Sequence, residues 1–178
     1  MRETFKYALI LGLICFLSSS VLAVINSVTE PIIKAQKEEQ ETQALKELLP
    51  QAAMFKPYYK QDEVLFYRGY DSNNHLGGFV LKSRQRGYSS DIEILVSLDL
   101  GLKIVSVKIL SQNETPSIGS RILELSFLEQ FRNKRQESLG EVHAISAATI
   151  SSTAVINSVK SKISELQSTL LEEIKSGG

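Results

Sequence analysis

His143-Ala144-Ile145-Ser146-Ala147-Ala148-Thr149-Ile150-Ser151-Ser152 runs small and hydroxyl-bearing residues straight into a segment with helical patterning. Downstream, Val155, Val159, Ile163, Leu166 and Leu170 recur on one face, so the spacing predicts a final helix from about Ser151 to Leu171. The composition beyond Ser164 turns polar, which predicts that the end of this helix projects from the domain. A helix start carries N–H groups with no intrahelical partner and the positive end of the aligned peptide dipoles. Small side chains beside it let an anion approach the backbone, so this stretch is a candidate phosphate cradle with Thr149 at its centre. Taken alone, Thr149 or Ser151 at such a place is an N-cap, a role worth about 1 kcal/mol.

Upstream of the cradle the period changes from helical to two. Val64 to Tyr70, Leu76 to Ser83, Ile92 to Leu98 and Lys103 to Leu110 are rich in β-branched and aromatic residues and are predicted strands. Ile92, Ile94, Val96 and Leu98 share one face, as do Val105, Val107 and Ile109, and Asp99 to Leu102 supplies a turn containing Gly101. The result is an antiparallel hairpin with one buried face. Between the last strand and the cradle, Ile122, Leu125, Leu128 and Phe131 recur at helical spacing and predict a helix that ends near the polar run Arg132 to Gln136.

The other end of the chain is of a different kind. Tyr7 to Val28 carries no charge, and at about 1.5 Å of rise per residue it matches the roughly 30 Å hydrocarbon core of a bilayer. One membrane helix is the reading. The competing one is a cleaved signal peptide with Val21-Leu22-Ala23 as its cleavage site, but the apolar length exceeds the core of such a signal. Arg2 and Lys6 before the span favour a cytoplasmic N-terminus and an extracytoplasmic remainder. Thr29-Glu30-Pro31 either begins a new helix or kinks one continuing out of the membrane. A polar stalk follows, on which Leu45, Leu48 and Leu49 form a short apolar stripe that stops at Pro50. The predicted organisation is N-terminal cytoplasmic residues with a membrane helix over 1–28, a helical stalk over 29–54, a folded α+β domain over 55–172 and a flexible tail over 173–178.

With 178 residues there is room for one domain with a core and an accessory segment. Twenty basic and twenty acidic side chains cancel without forming blocks, so no nucleic-acid partner is expected. The single cysteine, Cys15, lies in the apolar span, so redox chemistry would need a bound cofactor. His75 and His143 lack neighbours at metal-ligand spacing, and no zinc site is predicted. No Ser/His/Asp arrangement or close carboxylate pair suggests independent hydrolytic turnover, so no catalytic acid, base or nucleophile is assigned.

Ser146, Ala148 and Thr149 match the flavinylation motif of the covalent FMN-carrying subunits of bacterial respiratory complexes, commonly Asp-x-x-Ser-Gly-Ala-Thr. Ala147 stands where that family has glycine, and His143 where it has aspartate. Gly87-Tyr88-Ser89-Ser90-Asp91-Ile92, then Glu114-Thr115-Pro116-Ser117-Ile118-Gly119, then Phe127 to Phe131 follow in the family's order, with Ser117 in place of a further glycine. The chain resembles the G subunits of Rnf-type electron-transport complexes, with the C subunit of the sodium-pumping NADH:quinone oxidoreductase a more distant relative. The resemblance implies a single-pass membrane anchor in the bacterial inner membrane and an extracytoplasmic FMN-binding domain with an antiparallel sheet and flanking helices. It implies FMN esterified through its phosphate to Thr149, in a site drawing on Gly87, Tyr88, Glu114, Thr115, Pro116, Ser117, Ser146, Ala147, Ala148 and Ser151. It implies as partners the other subunits of an ion-translocating ferredoxin:NAD oxidoreductase complex, a flavin transferase during maturation, and membrane lipid. A second reading, motivated by Ala147 and His143, is a flavin-free anchored assembly subunit of the same kind of complex.

Overall fold

The structure, a computed structural model, describes residues 2–60 and 63–176. The chain forms two units, residues 1–41 and 42–178.

The first unit is helical. Helix α1, Arg2–Leu48, runs through Pro31 without a break, which selects the continuing helix over a fresh start at Thr29. Leu9, Leu11, Phe16, Leu17 and Leu22 are between 60% and 72% exposed along it. A stripe would leave one polar face; here apolar side chains cover the helix all round, over a length sufficient to cross a membrane.

In the second unit, the last turns of α1 and the residue after it bury Ala44, Leu45, Leu48 and Leu49 against Val80 and Leu95, so the apolar stripe of the stalk belongs to a core. Five strands follow: β1 Met54–Lys60, β2 Glu63–Tyr70, β3 Leu76–Arg86, β4 Asp91–Leu98 and β5 Ile104–Ser111. They pair in chain order as an antiparallel meander. Strand β1 is the one the sequence pattern did not predict. It contains Pro57 and two lysines, a composition that argues against a central strand, and it occupies the sheet edge, where proline is tolerated.

The predicted hairpin is β4–β5, and Ile92, Ile94, Val96 and Leu98 are all fully buried on one face. In β5 the pattern departs from strict alternation. The register slips between Ser97 and Leu98, so Leu98 pairs with Ile104. Ile104 is fully buried while Val105 is only partly so, because the extra residue of a bulge reverses which side chains face inward. Ser97 fills the irregularity: its hydroxyl accepts the Ser106 N–H at 3.0 Å and donates to the Ser106 carbonyl at 3.2 Å.

The helix predicted over Ile122 to Phe131 is instead three short pieces: a 3-10 turn Gly119–Leu123, a single α-turn α2 Leu125–Leu128, and a 3-10 turn Glu129–Phe131. Glu124 is extended, with φ −62° and ψ 131°, and interrupts the helix. That break turns Ile122, Phe127 and Phe131 inward and leaves Leu125 at the surface, so the apparent stripe is not a face.

Helix α3, Thr149–Ser176, crosses the sheet face opposite the end of α1. Its predicted stripe is buried throughout, from Val155 to Leu170. The helix does not project beyond Ser164, since Leu166 and Leu170 stay in the core and Glu173 pairs with Arg68 at 3.0 Å. Residues 173–176, predicted as tail, are its last turn; Gly177 and Gly178 lie outside the described residues.

Candidate functional site

The cradle lies where three segments meet: the β3–β4 turn at 87–90, the loop after β5 at 112–118, and the start of α3. Glu114 is their common fastener. The residue is 4% exposed, and one carboxylate oxygen accepts the Ser89 and Ser90 N–H groups at 3.0 and 2.9 Å. The other accepts the Tyr88 N–H at 3.1 Å and the Ser151 hydroxyl at 2.5 Å. Burial pushes the Glu114 carboxyl upward, but the hydrogen bonds from Ser151, Ser90, Ser89 and Tyr88 outweigh it and hold the group below the ordinary carboxylate range. It is therefore a fixed negative charge that joins two loops to a helix.

Two glycines make room for that fastener. A Cβ on Gly87 would stand 2.6 Å from a Glu114 oxygen, and one on Gly119 would stand 2.8 Å from the Glu114 Cβ and 3.1 Å from the Ser151 hydroxyl. Either methyl group would push the segments apart.

Above Glu114 opens a cleft of about 590 Å³. Tyr88, Thr115, Ala147, Ala148, Thr149 and Ser151 line it, and so do Ile118, Gly119 and Ile150, which were not singled out from sequence. Glu114 and Gly87 sit behind the lining, whereas Pro116, Ser117 and Ser146 lie in the adjoining loops and do not face it. Ile118 and Gly119 belong to the Glu114–Gly119 block and Ile150 to the cradle stretch, so the signal for them was adjacency alone.

Helix α3 starts as the cradle requires, but its capping differs from the N-cap reading. The Ser152 N–H is bonded to the Ala148 carbonyl, so Ala148 is the residue at the cap. The Ser151 hydroxyl goes to Glu114, and the Ser152 hydroxyl donates back to the Ala148 carbonyl while accepting the Ile145 N–H. The first-turn N–H groups therefore remain available beside the cleft, with Thr149 exposed at the first helical position. Ala147 and Ser117 have φ of 69° and 62°, the left-handed region that favours glycine.

Comparisons with known proteins agree with this architecture. Residues 87–164 match the family described as FMN-binding domain, and residues 1–48 match that described as RnfG N-terminal region. The G subunit of the ion-translocating oxidoreductase complex of Methanosarcina acetivorans is 30% identical, over 91% of this chain and 94% of its own length. Its counterpart in the proton-translocating ferredoxin:NAD(+) oxidoreductase complex of Clostridium ljungdahlii is 27% identical over 88% of each chain. The crystal structure of Shewanella oneidensis NqrC shares the fold, with a TM-score of 0.55 at 18% identity, covering 72% of this chain and 74% of that one.

The residues present fit such a cofactor. Tyr88, Ile118 and Ile150 offer exposed apolar surface at the cleft, and the first-turn amides and the Thr149 hydroxyl stand at the helix start where a phosphate would be received.

Proposed function

This chain belongs to the family of G subunits of ion-translocating oxidoreductase complexes, and from that membership we propose how it works as the membrane-anchored FMN subunit of a ferredoxin:NAD oxidoreductase complex. It is a relay without substrate turnover of its own. Bound flavin supplies the redox chemistry, taking up and passing on one or two electrons, while the protein supplies position and hydrogen bonds.

Thr149 holds the cofactor through a phosphoester to its hydroxyl. The observation that carries this reading is the exposed Thr149 at the first position of α3, on the wall of an apolar cleft and beside unpaired helix amides. The amides and the dipole of the helix start offset the phosphate charge. Tyr88, Thr115 and Ile118 line the cleft and would hold the ring, and Glu114 keeps their loops at a set separation, with Gly87 and Gly119 leaving room for it. Pro116, Ser117 and Ser146 shape those loops from outside the cleft. A covalent tether retains the cofactor on the extracytoplasmic side, where a dissociated nucleotide would diffuse away. A flavin transferase installs it, the other subunits of the complex exchange electrons with it, and α1 sits in lipid as a single pass with its N-terminus in the cytoplasm.

The test is the intact mass of the full chain made beside an active flavin transferase. An added FMN phosphoester, with flavin fluorescence that survives a denaturing gel and vanishes in Thr149→Ala, is the expected result. A colourless, unmodified chain within an assembled complex overturns it in favour of a flavin-free assembly subunit, the reading that Ala147 and His143 motivate.

A further inference from the structure

The stretch that leads into Thr149 is a surface loop. Val142 and Ala148 are buried at the ends of this stretch and Ile145 packs against the core. His143, Ser146 and Ala147 are exposed, so burial does little to hold the path at those three residues, and Ala147 adopts a backbone conformation that an L-residue enters unwillingly. Side chains from elsewhere hold it instead. The Gln130 amide brackets His143, accepting its N–H at 2.9 Å and donating to its carbonyl at 3.4 Å. Arg121 donates to the Ser146 carbonyl at 3.1 Å. That guanidinium is itself aimed by Glu124, which accepts from its Nε at 2.7 Å and from a second nitrogen at 3.4 Å. Ser152 takes the Ile145 N–H, so the loop is pinned at residues 143, 145 and 146, immediately before the left-handed residue and the acceptor.

Both main anchors come from the interrupted segment after Gly119, which explains a use for its break at Glu124. A continuous helix through Ile122 and Phe131 would carry Arg121 and Gln130 nine residues apart on one rod, fixing their separation by helical geometry. The extended residue between them lets each reach a different point of the loop.

Resting on the attachment reading above, we infer that Arg121 and Gln130 are positioning residues for cofactor attachment: they hold the acceptor loop so that the Thr149 hydroxyl is presented to the transferase. In that reaction the Thr149 oxygen gives up its proton to a base on the transferase and bonds to the phosphorus of the FMN half of a flavin dinucleotide. The pyrophosphate P–O bond breaks, and the nucleoside monophosphate leaves with its electron pair; no oxidation or reduction occurs. Neither Arg121 nor Gln130 touches the reacting atoms. Their effect is on the fraction of time that the hydroxyl is correctly placed, a quantity to which such reactions respond steeply.

The experiment follows initial rates of adduct formation by intact mass, using the full chain in detergent with transferase and flavin dinucleotide. Arg121→Gln is expected to lower kcat about tenfold, the scale of a modest loss of orientation, with the KM for the dinucleotide unchanged because the transferase binds it. Long incubation still brings the variant to full modification, its melting midpoint stays that of the parent, and Arg121→Lys recovers part of the rate. Gln130→Ala gives the same pattern and carries the test if Arg121→Gln does not fold. Parent-like rates in both variants, or a loss that appears only as the fold melts, overturn the inference while leaving attachment at Thr149 intact. A parent chain that never gains the FMN mass overturns the attachment reading and this inference with it.

Discussion

Glu114 is the residue through which the segments around the site are fastened together. Four of its hydrogen bonds reach a buried carboxylate, and bonds to a charged group are each worth about 1.5–3 kcal/mol. Glu114→Gln keeps the volume but sets an amide donor against N–H and O–H donors, so a loss of about 3 kcal/mol is expected from denaturant midpoints at pH 7. The native carboxyl is held below its ordinary value, so its stabilisation is complete above the unfolded pKa of about 4.3. It fades as pH falls from there through the lower native value. The gap between parent and Glu114→Gln should accordingly be widest near neutrality and narrow in acid; a gap that widens in acid would assign the effect to another group. Ala147 shows the opposite economy, a residue in a conformation it disfavours. Ala147→Gly should relieve about 1 kcal/mol of backbone strain, offset in part by the freer unfolded chain, and raise the melting midpoint slightly. A lower midpoint would mean that the alanine methyl makes contacts worth more than the strain.

At the scale of elements, the sheet is covered on both faces, and the two faces differ in how far local pattern reveals them. Helix α3 was readable because its buried positions follow one period over five turns, and its contacts agree with that period. The segment from Ile122 to Phe131 also carried a helix-compatible spacing, every third residue, and had a different outcome, since one extended residue at Glu124 changes which side chains meet the core. Strand β1 was hidden because its edge position relaxes the composition rules that interior strands obey. The second face depends on a few residues after the stalk. Leu49 is fully buried over Gly69 and Gly78, where a Cβ would come within 2.4 Å and 3.3 Å of its methyl groups. Glycine there creates the seat for the leucine. Leu49→Ala should cost about 2–5 kcal/mol by leaving that seat empty, measured by chemical denaturation. A cost below about 1 kcal/mol would show that the seat collapses or that this core contributes little.

For the molecule as a whole, an apolar helix and a folded domain with its own two-faced core divide the work of anchoring and of cofactor binding. Membership of the G-subunit family makes the chain a membrane-anchored component of a larger complex. The proposed orientation has a direct check that exploits the single cysteine, Cys15, within the apolar span. Ser176→Cys places a second thiol at the end of α3, and a membrane-impermeant thiol reagent added to intact cells, with the outer barrier opened, should label it. Parent chain should remain unlabelled. Labelling that requires disruption of the inner membrane would reverse the topology and with it the extracytoplasmic placement of the cofactor.

Local pattern alone determined the apolar span, the hairpin of β4 and β5, the stripe of α3 and the run of small residues that leads into it at Thr149, because each depends on periodicity or on residue types close together in the chain. The tertiary structure decided the rest. Glu114 gathers partners from residues 88–90 and 151, Gly87 and Gly119 are glycines because of where Glu114 lies, and Arg121 and Gln130 reach the loop before Thr149 across intervals of 25 and 13 residues. Such roles arise from side chains that meet only after the backbone has closed, and spacing along a chain carries no direct measure of that meeting.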